Sequence, residues 1–124
     1  MLLTATAGLT AACGKSQDDQ VRAVVERFAD AGAKADYQRI CDELITPALS
    51  QKVEAVGLPC EIAFKKGLEG VKNPRIVVRS VKVDGDKARV AVHSTATGEK
   101  PSDDVVEVVK VDGDWRIASL AGSG

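Results

Sequence analysis

One histidine and three cysteines are the residues of this 124-residue chain whose side chains are best suited to metal binding or nucleophilic catalysis. Their spacing excludes the common metal centres, because the chain has no CxxC or HExxH motif and structural zinc needs four ligands at short spacing. Nucleophilic catalysis by Cys41 or Cys60 would require His93, which belongs to a later predicted strand. The sequence therefore predicts no metal site and no catalytic residue, and it implies no cofactor.

Cys13 directly follows an uncharged segment, residues 1–12, that ends in Leu-Thr-Ala-Ala. This string resembles the lipobox of bacterial lipoproteins, in which the cysteine sulfur receives a diacylglycerol that anchors the protein in the cell membrane. Thr10 stands where leucine is usual, and no basic residue precedes the apolar stretch. We expect residues 1–12 to be a truncated lipoprotein signal segment and residues 13–20 a tether on the extracytoplasmic face. The alternative is a frayed tail with an incidental cysteine.

Cys41 and Cys60 remain as a pair once Cys13 is assigned to the lipid. In an exported protein such a pair is expected to be oxidised, because the compartment is not reducing. A bridge across a loop of this length would stabilise the fold by about 3 kcal/mol. We therefore predict a Cys41–Cys60 disulfide, and the alternative is two buried thiols in a cytosolic protein.

Helical spacing of apolar residues dominates the first half of the chain after the tether. The first helix shows the i, i+3, i+4, i+7 pattern at Val21, Val24, Val25 and Phe28. Asp36 and Thr46 are placed as N-caps of two further helices, and Pro47 occupies a first helical position. A last short helix is predicted over residues 60–68.

After Pro74 the spacing of the apolar residues changes from the helical pattern to the alternating pattern of strands. The string Val-Lys-Val-Asp-Gly-Asp occurs twice, at residues 81–86 and 109–114, and Asp-Gly supplies the positive φ angles of tight hairpins. Each string is therefore expected to close an antiparallel pair. We predict a single α+β domain over residues 21–121, with N-terminal helices followed by a four-stranded antiparallel meander.

The charge balance restricts the class of partner. The chain has 17 Lys+Arg and 18 Asp+Glu, and its basic residues are scattered along the sequence. We therefore expect no nucleic-acid partner, because phosphate binding needs clustered positive charge. Hydrophobic residues make up 44% of the chain, which is enough for a packed core.

The order of elements is similar to that of the nuclear transport factor 2-like superfamily. The similarity is carried by Phe-Ala-Asp-Ala at 28–31, Leu-Ile-Thr-Pro at 44–47 and the closing Gly-Asp-Trp-Arg-Ile at 113–117. Small bacterial lipoproteins of this superfamily also carry a cysteine pair placed like Cys41 and Cys60. The resemblance implies a cone, in which the helices pack into the concave face of a curved four-stranded antiparallel sheet.

The resemblance leaves function open, because the superfamily contains isomerases, dehydratases, transport adaptors and domains without known activity. It implies a pocket in the cone, for which Tyr37, His93, Glu107 and Trp115 are the candidate lining residues. The preferred hypothesis is a non-catalytic, membrane-anchored domain that binds a small apolar ligand or an envelope protein. The alternatives are an isomerase- or dehydratase-like enzyme with its active site in the cone, and an interaction module that forms a homodimer through its sheet.

Overall fold

The computed structural model describes residues 16–120, so the predicted signal segment and Cys13 lie outside the described residues. Four helices precede four strands, as the sequence predicts. The helices are α1 (Gln17–Ala33), α2 (Tyr37–Arg39), α3 (Pro47–Glu54) and α4 (Cys60–Gly67), and α2 continues directly into a π-helical turn (Ile40–Leu44). The strands are β1 (Arg75–Asp84), β2 (Lys87–Thr95), β3 (Ser102–Val111) and β4 (Asp114–Ser119).

The four strands form one antiparallel sheet in the order β1-β2-β3-β4. Helix α1 packs across the sheet, mainly against β1 and β4. We call the helix-covered side of the sheet the inner face and the opposite side the outer face. This arrangement confirms the predicted α+β fold class.

The two copies of the repeated string close their hairpins in different ways. In the first copy the two-residue loop is Gly85-Asp86, with Gly85 at φ 65°, whereas in the second it is Asp112-Gly113, with φ values of 51° and 88°. The loops are therefore offset by one residue within the same string. Because strand side chains alternate between faces, Val81 points to the inner face whereas the equivalent Val109 points to the outer face.

Both predicted N-caps are present. The Thr46 Oγ1 accepts a hydrogen bond from the Leu49 backbone N–H at 3.0 Å, and Asp36 Oδ1 accepts one from the Arg39 backbone N–H at 3.3 Å. The second helix departs from regular α-helical geometry, because Ile45 donates its backbone N–H to the Ile40 carbonyl in a wider turn. That turn delivers the chain to the edge of the sheet.

The core lies between α1 and the inner face and consists mainly of valine, isoleucine and leucine. Val21, Val90 and Val108 are fully buried at its centre. A disulfide joins Cys41 to Cys60 with their Cα atoms 6.1 Å apart, as predicted, and it ties the π-helical turn to the start of α4. Within residues 16–120, no helix has the length and apolar character needed to span a membrane.

Candidate functional site

A cavity of about 420 Å³ lies at the end of the cone where α1 finishes. It is bounded by the C-terminal half of α1, by α4 and by the inner face of the sheet. Buried side chains, including Val92, Val106 and Ile117, form its base. Exposed residues Ala33 and Gly67 also line it, so the cavity opens to solvent at this end.

Small residues on the two helices leave the space for this cavity. They recur at helical spacing on the lining faces of α1 and α4, as Ala29, Gly32, Ala33, Ala63 and Gly67. A larger side chain at these positions would project into the space that the cavity occupies.

Two aromatic rings form the wall between α1 and α4. Phe28 and Phe64 both line the cavity, with ring centroids 6.1 Å apart and planes at 72°. This edge-to-face geometry is a favourable arrangement of aromatic rings. The cavity thus presents a preformed apolar and aromatic surface to any molecule that enters it.

Among the described residues that line the cavity, Ser94 and Asp104 carry the polar side chains. Asp104 lies opposite Val92 in the β2–β3 pairing, and Ser94 lies opposite Ser102, so these residues share the inner face. The Ser102 hydroxyl donates a hydrogen bond to Asp104 Oδ2 at 3.0 Å. A small polar cluster is thereby formed on one wall of an otherwise apolar cavity.

His93 and Glu107, two of the four residues expected in the pocket, lie on the outer face of the sheet. His93 Nδ1 is 2.8 Å from Asp103 Oδ1, and Glu107 pairs with Arg89 at 3.9 Å. Successive side chains of a strand point to opposite faces. His93 therefore points to the outer face, because the preceding residue, Val92, points to the inner face. The structure therefore does not bring His93 and Glu107 to the cavity.

The other two expected pocket residues also lie away from the cavity lining. Trp115 is buried against the N-terminal half of α1, where its Nε1–H donates to Gln17 Oε1 at 3.1 Å. Lys110 Nζ lies 5.4 Å from the centroid of the Trp115 ring. Tyr37 is half-buried at the start of α2 and packs against the core. Trp115 is thus a buried residue of the core that does not line this cavity.

The sequence does contain a signal for Asp104 and Ser94. Counting back in steps of two from the buried Val108 and Val106 leads to Asp104, and counting forward from Val90 leads to Ser94. Both residues lie near strand ends, where element bounds are hardest to predict. Within residues 16–120, no group of three or more His, Cys, Asp or Glu side chains is arranged to hold a metal ion.

Among the comparisons with known proteins, only the one with solved structures found matches. No protein-family model matches the sequence, and no curated protein matches it either. Solved structures do match: an NTF2-like protein of unknown function from Silicibacter pomeroyi is 22% identical, with a TM-score of 0.57 over 82% of this chain and 89% of that one. One from Shewanella baltica is 17% identical, with a TM-score of 0.58 over 82% and 87% of the two chains.

A de novo designed NTF2 fold protein is 21% identical, with a TM-score of 0.58 over 86% of this chain and 87% of the designed one. The helices on a bent antiparallel sheet define an α+β cone. The chain has the nuclear transport factor 2-like fold, as its sequence resemblance predicts.

Proposed function

We propose that this protein is a non-catalytic binding domain that takes up a small apolar ligand in its cone. The observation that carries the proposal is the open cavity of about 420 Å³ with its apolar and aromatic lining. Ligand pockets in proteins have volumes of about 300 to 1,000 Å³ and are lined mainly by such side chains. Transfer of an apolar molecule from water to this surface is favoured by about 25 cal/mol per Å² of area buried.

The polar groups of the cavity favour binding over catalysis. Proton transfer chemistry needs an acid or base together with a second group that stabilises the developing charge. Among the described lining residues, Asp104 is the only one with a titratable side chain. His93 and Tyr37, which could have supplied the second group, lie elsewhere. An isomerase- or dehydratase-like activity therefore has less support than ligand binding.

Binding of the uncharged dye N-phenyl-1-naphthylamine tests the proposal. The full chain carrying Cys13→Ser, which removes the lipid site, should increase the dye's fluorescence and bind it in a saturable manner. Ala29→Leu or Ala63→Leu should weaken this binding by about tenfold, because leucine fills the cavity. Ala48→Leu places the same substitution on an exposed position of α3 and should leave affinity unchanged. Non-saturable binding, or equal effects of all three substitutions, would contradict the proposal.

We also propose that Cys13 carries a lipid and holds the domain at the extracytoplasmic face of a bacterial cell membrane. The Leu-Thr-Ala-Ala string before Cys13 supports this location. The Cys41–Cys60 disulfide supports the export that this location requires, because stable disulfides belong to oxidising compartments. In this location the cone would meet ligands or envelope proteins near the membrane surface.

A second candidate function, homodimerisation, is favoured by the outer face of the sheet. Val77 and Val105 are 48% and 40% exposed there. Arg89, Glu107 and Asp103, which carry charges of both signs, surround Val105 on this face, and an apolar centre with a polar rim is the usual composition of a protein interface. Analytical ultracentrifugation should detect a concentration-dependent dimer that Val105→Lys abolishes. A monomer at all concentrations would exclude this function.

A further inference from the structure

The polar residues of the cavity lie at its rim rather than at its base. Along β3 the side chains of the inner face become progressively more buried, from exposed Ser102 through half-buried Asp104 to Val106 at 6% and Val108 at 0% exposure. Strand β2 shows the same order inward from Ser94. A ligand in the cavity would therefore have its apolar part at the base and its polar part beside Asp104.

Asp104 differs from the paired carboxylates on the outer face in lacking a basic side chain as a partner. Glu107 pairs with Arg89 and Asp103 pairs with His93, whereas no ion pair among residues 16–120 includes Asp104. Its one hydrogen bond within this part of the chain comes from the neutral Ser102 hydroxyl and is made to Oδ2. The other carboxylate oxygen, Oδ1, is left to solvent or to a ligand at the rim.

A carboxylate in this position discriminates between ligands by their charge. A wholly apolar ligand would displace water from Asp104 without replacing its hydrogen bonds, so it would bind less tightly than a ligand that donates a hydrogen bond to this carboxylate. A carboxylate or phosphate group at the rim would be repelled by Asp104. A protonated amine would donate a charge-assisted hydrogen bond to Oδ1, and such bonds are stronger than neutral ones.

We propose that the ligand of the cone is a small amphiphile with a protonated amine, which binds Asp104 while its apolar part contacts Phe28 and Phe64. This assignment rests on the proposed binding function and adds to it the charge of the head group. Ser94, on the same wall, provides a hydroxyl that can accept a further hydrogen bond from the amine.

Competition between ligands with the same tail tests the head-group assignment. Octylamine, 1-octanol and octanoate are each used at neutral pH to displace N-phenyl-1-naphthylamine from the full chain carrying Cys13→Ser. Octylamine should bind about tenfold more tightly than 1-octanol, as expected for one added charge-assisted hydrogen bond, and octanoate should bind most weakly. Asp104→Asn should reduce the preference for octylamine over 1-octanol to less than about twofold.

Asp103→Asn is the matched control, because it removes a carboxylate from the adjacent position on the outer face of the same strand. It should leave the octylamine preference intact. Equal loss in both variants would indicate a general effect of net charge and would overturn the proposal. If the dye binds but octylamine and 1-octanol compete equally, the head-group assignment fails while the binding function stands. If the dye does not bind at all, the binding function itself fails.

Discussion

Asp104 lies directly opposite Val92 in the β2–β3 pairing, so a carboxylate occupies a half-buried position at the rim of a mainly apolar cavity. A binding residue in such a position commonly reduces stability, because it is selected for the ligand rather than for the folded chain.

Asp104→Val should raise the free energy of unfolding by about 1 kcal/mol, because valine suits a strand and its partly buried side chain adds apolar contact. Urea denaturation followed by circular dichroism provides the measurement. The same variant should bind N-phenyl-1-naphthylamine more tightly and octylamine more weakly than the parent chain. A lower free energy of unfolding would mean that the Ser102–Asp104 hydrogen bond stabilises the fold by more than the apolar contact of the new valine does.

Loss of the Cys41–Cys60 disulfide should destabilise the domain by about 3 kcal/mol, because the bridge restricts the unfolded chain. The Cys41→Ser/Cys60→Ser double variant, compared with the parent in urea, measures this difference. Dye binding should also weaken, because α4 begins at Cys60 and carries Phe64 to the cavity wall. A thiol count on the unreduced parent should find both cysteines unreactive, and two free thiols would contradict the proposed export.

Removal of the Thr46 hydroxyl should lower the free energy of unfolding by about 1 kcal/mol, as the loss of other N-cap side chains does. Its Oγ1 caps α3 by accepting the Leu49 N–H, and the residue is 6% exposed, so Thr46→Val would leave that N–H without its partner. Thr46→Ser keeps the hydroxyl and should lose less stability in the same urea experiment. If the two variants were equally destabilised, packing of the methyl group rather than capping would be responsible.

Cys13→Ser should release the protein from bacterial membranes and abolish its labelling by radioactive palmitate. The physical reason is that acyl chains on the cysteine sulfur supply the membrane affinity, at about 0.8 kcal/mol per buried CH₂ group. Membrane fractionation and autoradiography of cells expressing each form provide the readouts. Persistence of the membrane-bound fraction, with unchanged labelling, would refute the lipid anchor.

Local interactions explain why much of the fold can be predicted from the sequence. The caps at Asp36 and Thr46 each depend on residues within three positions along the chain, and the hairpins depend on the glycines of the repeated string. Period-two spacing similarly identifies Val90 and Val92 as residues of one face. Such features can be recognised without knowing the neighbouring elements.

The polar residues of the site required the tertiary structure. Strand alternation places Asp104 and His93 on opposite faces once the strand bounds are known, and the one-residue offset between the two hairpins shows how easily that register changes. The family resemblance had made His93 and Glu107 the polar candidates for the pocket. Their pairing with Asp103 and Arg89 on the outer face emerges only from the assembled sheet.

The sequence by itself determined the order of the elements, their caps, the places of the two hairpins and the cysteine pair, because these depend on neighbouring residues or on composition. The tertiary structure alone decided that the cone contains a cavity and that Asp104 borders it. Small residues such as Ala29 and Gly67 are equally compatible with closely packed helices and with open space. The distance of α1 and α4 from the sheet, which is set by long-range packing, determines which of these occurs.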